Sequence, residues 1–178
     1  MAFAKIDLRI GRILSAVPFP AARKPAYQLT VDFGPPIGTR CTSAQLTFGY
    51  PDPAALVGRL AVAVVNFPEK KIAGFKSQIL VTGLHAPDGV SVYLAQLDGA
   101  DVPVEQVIGK RVQLDGAVED DAPEVRPLIT FDDFLKCRII KGEDGLLALD
   151  GRRLFVRGPA GKLHLNCDCR VIPGTSLL

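Results

Sequence analysis

Val62-Ala63-Val64-Val65-Asn66-Phe67-Pro68-Glu69-Lys70-Lys71-Ile72-Ala73-Gly74-Phe75-Lys76-Ser77-Gln78-Ile79-Leu80-Val81 decides the reading of this chain. The opening Val-rich run, apolar without alternation, reads as a buried strand. Asn66-Phe67-Pro68 breaks it, a basic turn follows, and Ile79-Leu80-Val81 begins the next strand. Asn66, Lys70, Lys71, Lys76 and Ser77 are thereby gathered at one strand–loop–strand corner. Amide, ammonium and hydroxyl donors meet there without a catalytic pair, which suits holding an anionic or peptide-like ligand rather than transforming one.

Outward from the corner, short apolar runs recur between Gly and Pro punctuation: 6–17, 27–33, 60–66, 77–84 and 90–97. Strand-length runs without long helical periods predict an all-β fold built on a small barrel. Asp52-Pro53-Ala54-Ala55-Leu56-Val57-Gly58 fits a short helix, with Asp52 as N-cap, Pro53 at the first helical position and Gly58 as terminator. Asp115-Gly116-Ala117-Val118-Glu119-Asp120-Asp121-Ala122-Pro123-Glu124 is acidic and poor in apolar residues, and reads as a linker or exposed connection. Beyond it a short capped helix is expected over 130–136. Strands are expected over 145–150, 152–157 and 162–171, the first two joined by the hairpin dipeptide Asp150-Gly151.

The same residues carry a resemblance. Lys5-Ile6-Asp7-Leu8-Arg9-Ile10-Gly11-Arg12-Ile13 resembles the opening strand of the tRNA-binding oligonucleotide-binding domains. These occur as free-standing proteins, as appendages of methionyl- and phenylalanyl-tRNA synthetases, and in CsaA-type chaperones. Phe19-Pro20-Ala21-Ala22-Arg23-Lys24-Pro25-Ala26, Leu29-Thr30-Val31-Asp32-Phe33-Gly34 and Ser43-Ala44-Gln45-Leu46-Thr47 are similar to the CsaA branch. So are Val64-Val65-Asn66-Phe67-Pro68 and Lys71-Ile72-Ala73-Gly74-Phe75-Lys76-Ser77. The resemblance spans roughly residues 3–112 and rests on several ordered motifs. It implies a five-stranded Greek-key oligonucleotide-binding barrel over 1–114 and does not account for the last third, where composition and pattern add an acidic linker over 115–127 and a small β-rich appendage of unknown role over 128–178. It also implies a homodimer, with Leu128–Lys136 or the strands after it expected at the subunit contact, because Ile129, Phe131, Phe134 and Leu135 offer a large apolar face.

Composition sets the rest. In 178 residues the net charge is only +2. Yet residues 1–114 hold twelve Lys/Arg against eight Asp/Glu, and residues 115–178 hold nine against eleven. The barrel half is therefore the basic half. Charged residues at the N-terminus and the lack of an apolar run of about 18 residues predict a cytoplasmic protein without membrane insertion. The four cysteines lack the density of a disulfide framework. His164, Cys167 and Cys169 with Cys137 resemble a zinc set, but no Cys-x-x-Cys pair is present and His164 faces away on a regular strand, so small buried hydrophobes are the preferred reading and no cofactor or metal is expected. No nucleophile elbow, phosphate-binding loop or zinc-protease helix is present, which leaves a non-catalytic role.

The ligand-binding set expected from the motifs is Arg23, Lys24, Arg40, Gln45, Asn66, Phe67, Lys70, Lys71, Phe75, Lys76 and Ser77. With RNA, tRNA above all, the lysines would meet phosphates while Asn66 and Ser77 add directional hydrogen bonds. With unfolded or preprotein peptides brought to the secretion machinery, Asn66 and Ser77 would meet backbone amides while Phe67, Ile72 and Phe75 frame an apolar groove. A third reading makes the lysines solvated loop residues, Asn66 a turn cap and the phenylalanines core. No Trp is present and the three Tyr are scattered, which favours recognition of RNA shape over base-by-base reading of single strands.

Overall fold

Strand β1 (Leu8–Pro18) is long enough to serve two neighbours. Its first half pairs antiparallel with β4 (Leu60–Val64), and its second half pairs with β2 (Tyr27–Asp32). The change of partner needs a bend, and the register slips between Ile13 and Ser15. Gly11 sits at the crossing, where a Cβ would lie 2.5 Å from Val31 Cγ1 and 2.7 Å from Phe33 Cε1. Only glycine lets the sheet curl there. β3 (Thr39–Ala44) extends β2, while β7 (Leu80–Val81) extends β4 after a small hairpin of β5 (Lys70–Ile72) and β6 (Phe75–Ser77), giving the order β3-β2-β1-β4-β7. The ends approach each other: the Gln78 amide donates to Cys41 O at 2.8 Å, and Thr42 Oγ1 donates to Ile79 O at 2.8 Å. The result is a nearly closed five-stranded antiparallel barrel, the expected oligonucleotide-binding architecture. The computed structural model of the chain describes residues 2–98 and 102–178.

The helix expected at 52–58 is a 3-10 turn over Pro53–Leu56, capped by Asp52, whose carboxylate accepts from the Ala54 amide. After the barrel come β8 (Gly83–His85), β9 (Val92–Leu94), β10 (Gln96–Leu97) and β11 (Gln113–Leu114). Helix α1 (Phe131–Leu135) follows, its capping box formed by Thr130 and Asp133, and then β12 (Ile140–Lys141), β13 (Leu147–Leu149), β14 (Arg152–Gly158) and β15 (Gly161–Asn166). The Asp150-Gly151 turn takes positive φ at both residues, 50° and 76°, as its sequence requires.

The appendage is not a separate unit hung on a linker. β10 pairs with β15 and β11 with β14, so the second sheet is woven from both halves of the chain. β4 and the first residues of β1, Leu8–Gly11, are buried on both faces. Ile13, Ala61 and Ala63 point into the barrel with Leu29, Val31 and Phe33. Leu8, Ile10, Val62 and Val64 point outward into a second core with Phe134, Ile139, Leu147, Leu154, Val156 and Leu165. This explains why Ala61–Val64 is apolar without alternation: the appendage covers the outer wall. Helix α1 is split. Ile129 and Phe134 are buried against the chain's own barrel, while Leu128, Phe131 and Leu135 remain exposed. The apolar face expected at a subunit contact is thus partly consumed within the chain.

The acidic stretch 115–127 is likewise tied down, contrary to its reading as a linker. Asp7, fully buried, is its anchor. The Asp7 carboxylate accepts from Arg9 Nε at 2.6 Å and Nη2 at 3.3 Å, from Arg111 Nε at 3.0 Å and Nη2 at 3.1 Å, and from the Arg126 amide at 3.0 Å. The two guanidinium groups reach onward to the carbonyls of Asp120 and Glu124, and Arg126 and Arg111 both pair with the Asp120 carboxylate at 2.9 Å. Polar side chains strap down the segment where apolar ones are lacking. At the other end Lys141, buried, donates to the carbonyls of Asp168 and Val171 and fixes the C-terminal tail.

Burial pushes the Asp7 carboxyl up, but the hydrogen bonds from Arg111, Arg9 and the Arg126 amide outweigh it and hold the group at about 2, below its ordinary 3.8. A carboxylate lowered on folding contributes stability above its unfolded value and loses it as pH falls through the folded one. Denaturant midpoints should therefore drop between about pH 4 and pH 2. Asp7→Asn should flatten that drop while costing about 3–5 kcal/mol at neutral pH, because two buried guanidinium groups lose their counter-charge. Deleting residues 116–178 should bare Leu8, Ile10, Val62 and Val64 and give dye-binding, aggregating protein in light scattering. A well-folded truncated dimer would contradict the shared core.

Candidate nucleic-acid interface

β5 and β6 form a two-residue hairpin turning at Ala73-Gly74, both at positive φ. The register sets Lys71 opposite Lys76 and Lys70 opposite Ser77. Ile72 and Phe75 are half-buried and Ser77 is buried, so this face packs on the barrel and Lys71 and Lys76 stand side by side on the outer face. Like charges directly opposite each other destabilise a strand pair, so the hairpin carries an electrostatic cost that an anion relieves.

Phe75 reaches the connection between β1 and β2. Its ring meets Phe19 edge to face at 5.5 Å between centroids. That contact brings the loop of Arg23 and Lys24, both exposed, to the same edge as the hairpin lysines. Arg40 lies half-buried on β3, along the strand edge that meets Gln78, and Gln45 is exposed just beyond that strand. The structure thus gathers Arg23, Lys24, Lys70, Lys71, Phe75 and Lys76 at one rim of the barrel, with Arg40 on the adjoining strand.

Two expected contacts, Asn66 and Ser77, are buried, and a third, Phe67, is half-buried against other aromatic rings. Asn66 is fully buried: its Oδ1 accepts from the Asp7 amide at 3.0 Å, and its Nδ2 donates to Lys5 O and Pro127 O, both at 2.8 Å. It joins the N-terminal turn, the end of β4 and the acidic strap, and its polar atoms are spent on backbone. Ser77 Oγ is buried 3.0 Å from Thr42 Oγ1 on β3. Phe67 packs on Phe131 and Phe134, with centroids 6.3 and 6.2 Å away, while Phe75 packs on Phe19. The two rings expected to frame an apolar groove thus have different aromatic partners.

Glu69 and Gln78 fall outside the expected set yet lie at the centre of the rim. Glu69 Oε1 accepts from Gln78 Nε2 at 2.9 Å, and Glu69 Oε2 lies 3.7 Å from Lys76 Nζ. The only trace in the sequence is an acidic residue directly before two lysines. Cys137 and Cys167 are buried, as expected of small hydrophobes, whereas Cys41 is half-buried and Cys169 exposed; desolvation pushes the Cys167 thiol up to about 11.

The chain matches the family model described as a putative tRNA binding domain over residues 8–106. It is similar to the methionine–tRNA ligase of Acidithiobacillus ferrooxidans, with 40% identity over 98 residues, which are 55% of this chain and 14% of the ligase. The chain thus corresponds to a small part of such ligases. Among solved structures, the CsaA chaperone protein from Picrophilus torridus is 40% identical, covering 61% of this chain and 92% of that one at a TM-score of 0.53. The C-terminal domain of Plasmodium vivax p43 is only 14% identical. It nevertheless covers 98% of this chain and 97% of that domain at a TM-score of 0.73, a likeness of fold that takes in the appendage.

Buried and exposed members of the expected set should separate in denaturation. Asn66→Ala strands three backbone groups and should cost about 1–3 kcal/mol. Lys71→Ala should stay within about 0.5 kcal/mol of the parent. Equal midpoints for the two variants would contradict the structural role of Asn66.

Proposed function

The chain belongs to the tRNA-binding domain family, of the CsaA type, and from that premise we propose that it is a non-catalytic binder of structured RNA, with tRNA as its ligand. The observation that carries this reading is the joining of two cationic loops at one barrel rim through the Phe19–Phe75 contact. Arg23, Lys24, Lys70, Lys71 and Lys76 are exposed there, spaced along an edge rather than converging on a pocket. Such an array suits a phosphate backbone, where lysines gain affinity by releasing condensed counterions and carry no base preference. The opposed Lys71 and Lys76 acquire a physical reason when a phosphate sits between them.

The peptide reading draws on the likeness to the Picrophilus CsaA chaperone protein. It has less support from this chain's own geometry. A peptide groove at the corner needs Phe67 beside Phe75 and free polar atoms on Asn66 and Ser77, and those side chains are engaged elsewhere. What is left exposed at the rim is charge.

Titration with tRNA across a salt series tests the assignment. Affinity should fall linearly on a log–log plot. Replacing Lys70, Lys71 and Lys76 together with Ala should make the slope shallower by about two to three units, at 0.7–0.9 per phosphate contact. The circular-dichroism spectrum and thermal midpoint should be unchanged. Absence of tRNA binding by the parent protein at low ionic strength would overturn the proposal. Salt-independent protection of an unfolded client, weakened more by Phe75→Ala than by Lys71→Ala, would favour the peptide reading.

A further inference from the structure

A carboxylate sits inside the cationic rim, and it is held there. Glu69 directly precedes β5, and its side chain is half exposed. Gln78 aims it: Gln78 Nε2 donates to Glu69 Oε1 at 2.9 Å, while Gln78 Oε1 accepts from the Cys41 amide at 2.9 Å. The Gln78 amide in turn donates to Cys41 O at 2.8 Å. A residue bound by both backbone and side chain to β3 therefore fixes where the carboxylate points. The hydrogen bond from Gln78, then the charges of Lys76 and Arg40, hold the Glu69 carboxyl below its ordinary value.

The geometry is that of a phosphate site occupied from within. Glu69 presents two anionic oxygens, one to an amide donor and one to an ammonium group 3.7 Å away. A phosphodiester presents the same pair of anionic oxygens to the same kinds of donor. The internal pair is weak, because both partners are more than a third exposed and such pairs are screened. Lys71, opposite Lys76 on the hairpin, has no carboxylate within ion-pair distance among the described residues, so the rim keeps free charge to attract a polyanion.

We propose that Glu69 is an internal stand-in for a ligand phosphate: it holds Lys76 in the free protein, and a backbone phosphate of the bound RNA takes its place. The inference rests on the RNA-binding reading and deepens it by naming the residue that sets the threshold for binding. Displacing Glu69 subtracts a fixed amount from every complex. A ligand offering one anion loses most of its gain, whereas a structured RNA that engages Lys70, Lys71, Arg23 and Lys24 at once recovers it. Selection for a polyanion thus comes from a repulsive element within an attractive surface.

The test is a set of tRNA titrations at several salt concentrations with the parent protein, Glu69→Gln, Lys76→Ala, the double variant, and Glu143→Gln on the appendage as a control for bulk charge. Glu69→Gln should bind about two- to fivefold more tightly, the fold-change matching a surface pair of up to about 1 kcal/mol. Its salt slope should steepen by about 0.7–0.9. The gain should vanish when Lys76 is already Ala, and Glu143→Gln should give a smaller gain. Weaker or unchanged binding by Glu69→Gln overturns the proposal and leaves the RNA assignment standing. So does a gain that survives in the Lys76→Ala background or is matched by Glu143→Gln. Failure of the parent protein to bind tRNA at all overturns both.

Discussion

The Asp7 carboxylate is the constraint on which the rest depends. One buried anion accepts five hydrogen bonds, from Arg9 two residues on, from Arg111 104 residues away, and from the Arg126 amide 119 residues away. A buried charge is costly unless paired and fully hydrogen-bonded, so this arrangement is all-or-none. It specifies where the chain leaving the barrel crosses back, and thereby where α1 lies on the outer wall. Asn66 extends the same control, bridging the Asp7 amide to the carbonyls of Lys5 and Pro127.

That placement lets one pair of strands serve two cores. β1 and β4 send alternate side chains inward to the barrel and outward to the appendage. Neither half buries its apolar surface alone, because Val62 and Val64 need Phe134, Ile139 and Val156 as partners. The whole-length likeness to the p43 domain at 14% identity agrees with a fold in which barrel and appendage are one arrangement. Conserving that arrangement requires apolar volume and a strap, not particular residues.

The rim obeys a different economy. Its stability comes from beneath, through Phe75 on Phe19 and Ser77 on Thr42, which leaves the outer face of the hairpin free to carry charge that does nothing for the fold. Lys71 opposite Lys76 is a local liability on a short hairpin, and Glu69 relieves half of it.

Much of the fold was legible from local chemistry. Val and Ala runs, Asp150-Gly151 and the Thr130 cap each report a strand, turn or helix start through interactions spanning a few residues. The apolar run at 61–64 also declared a buried strand, though not that a second core covers its outer side. The cationic half was visible as composition, and the lysines of the rim as a motif. What covers the outer wall, and which polar residues are spent indoors, was decided only by the tertiary structure. Asn66, Phe67 and Ser77 look like ligand contacts because they sit beside lysines in sequence. Their real partners are Asp7, Phe134 and Thr42, between 35 and 67 positions away, and a linear pattern holds no record of such pairings. Asp120 and its neighbours likewise read as a solvated linker, because acidic residues are solvated unless cations arrive from elsewhere, and here Arg111 and Arg126 do.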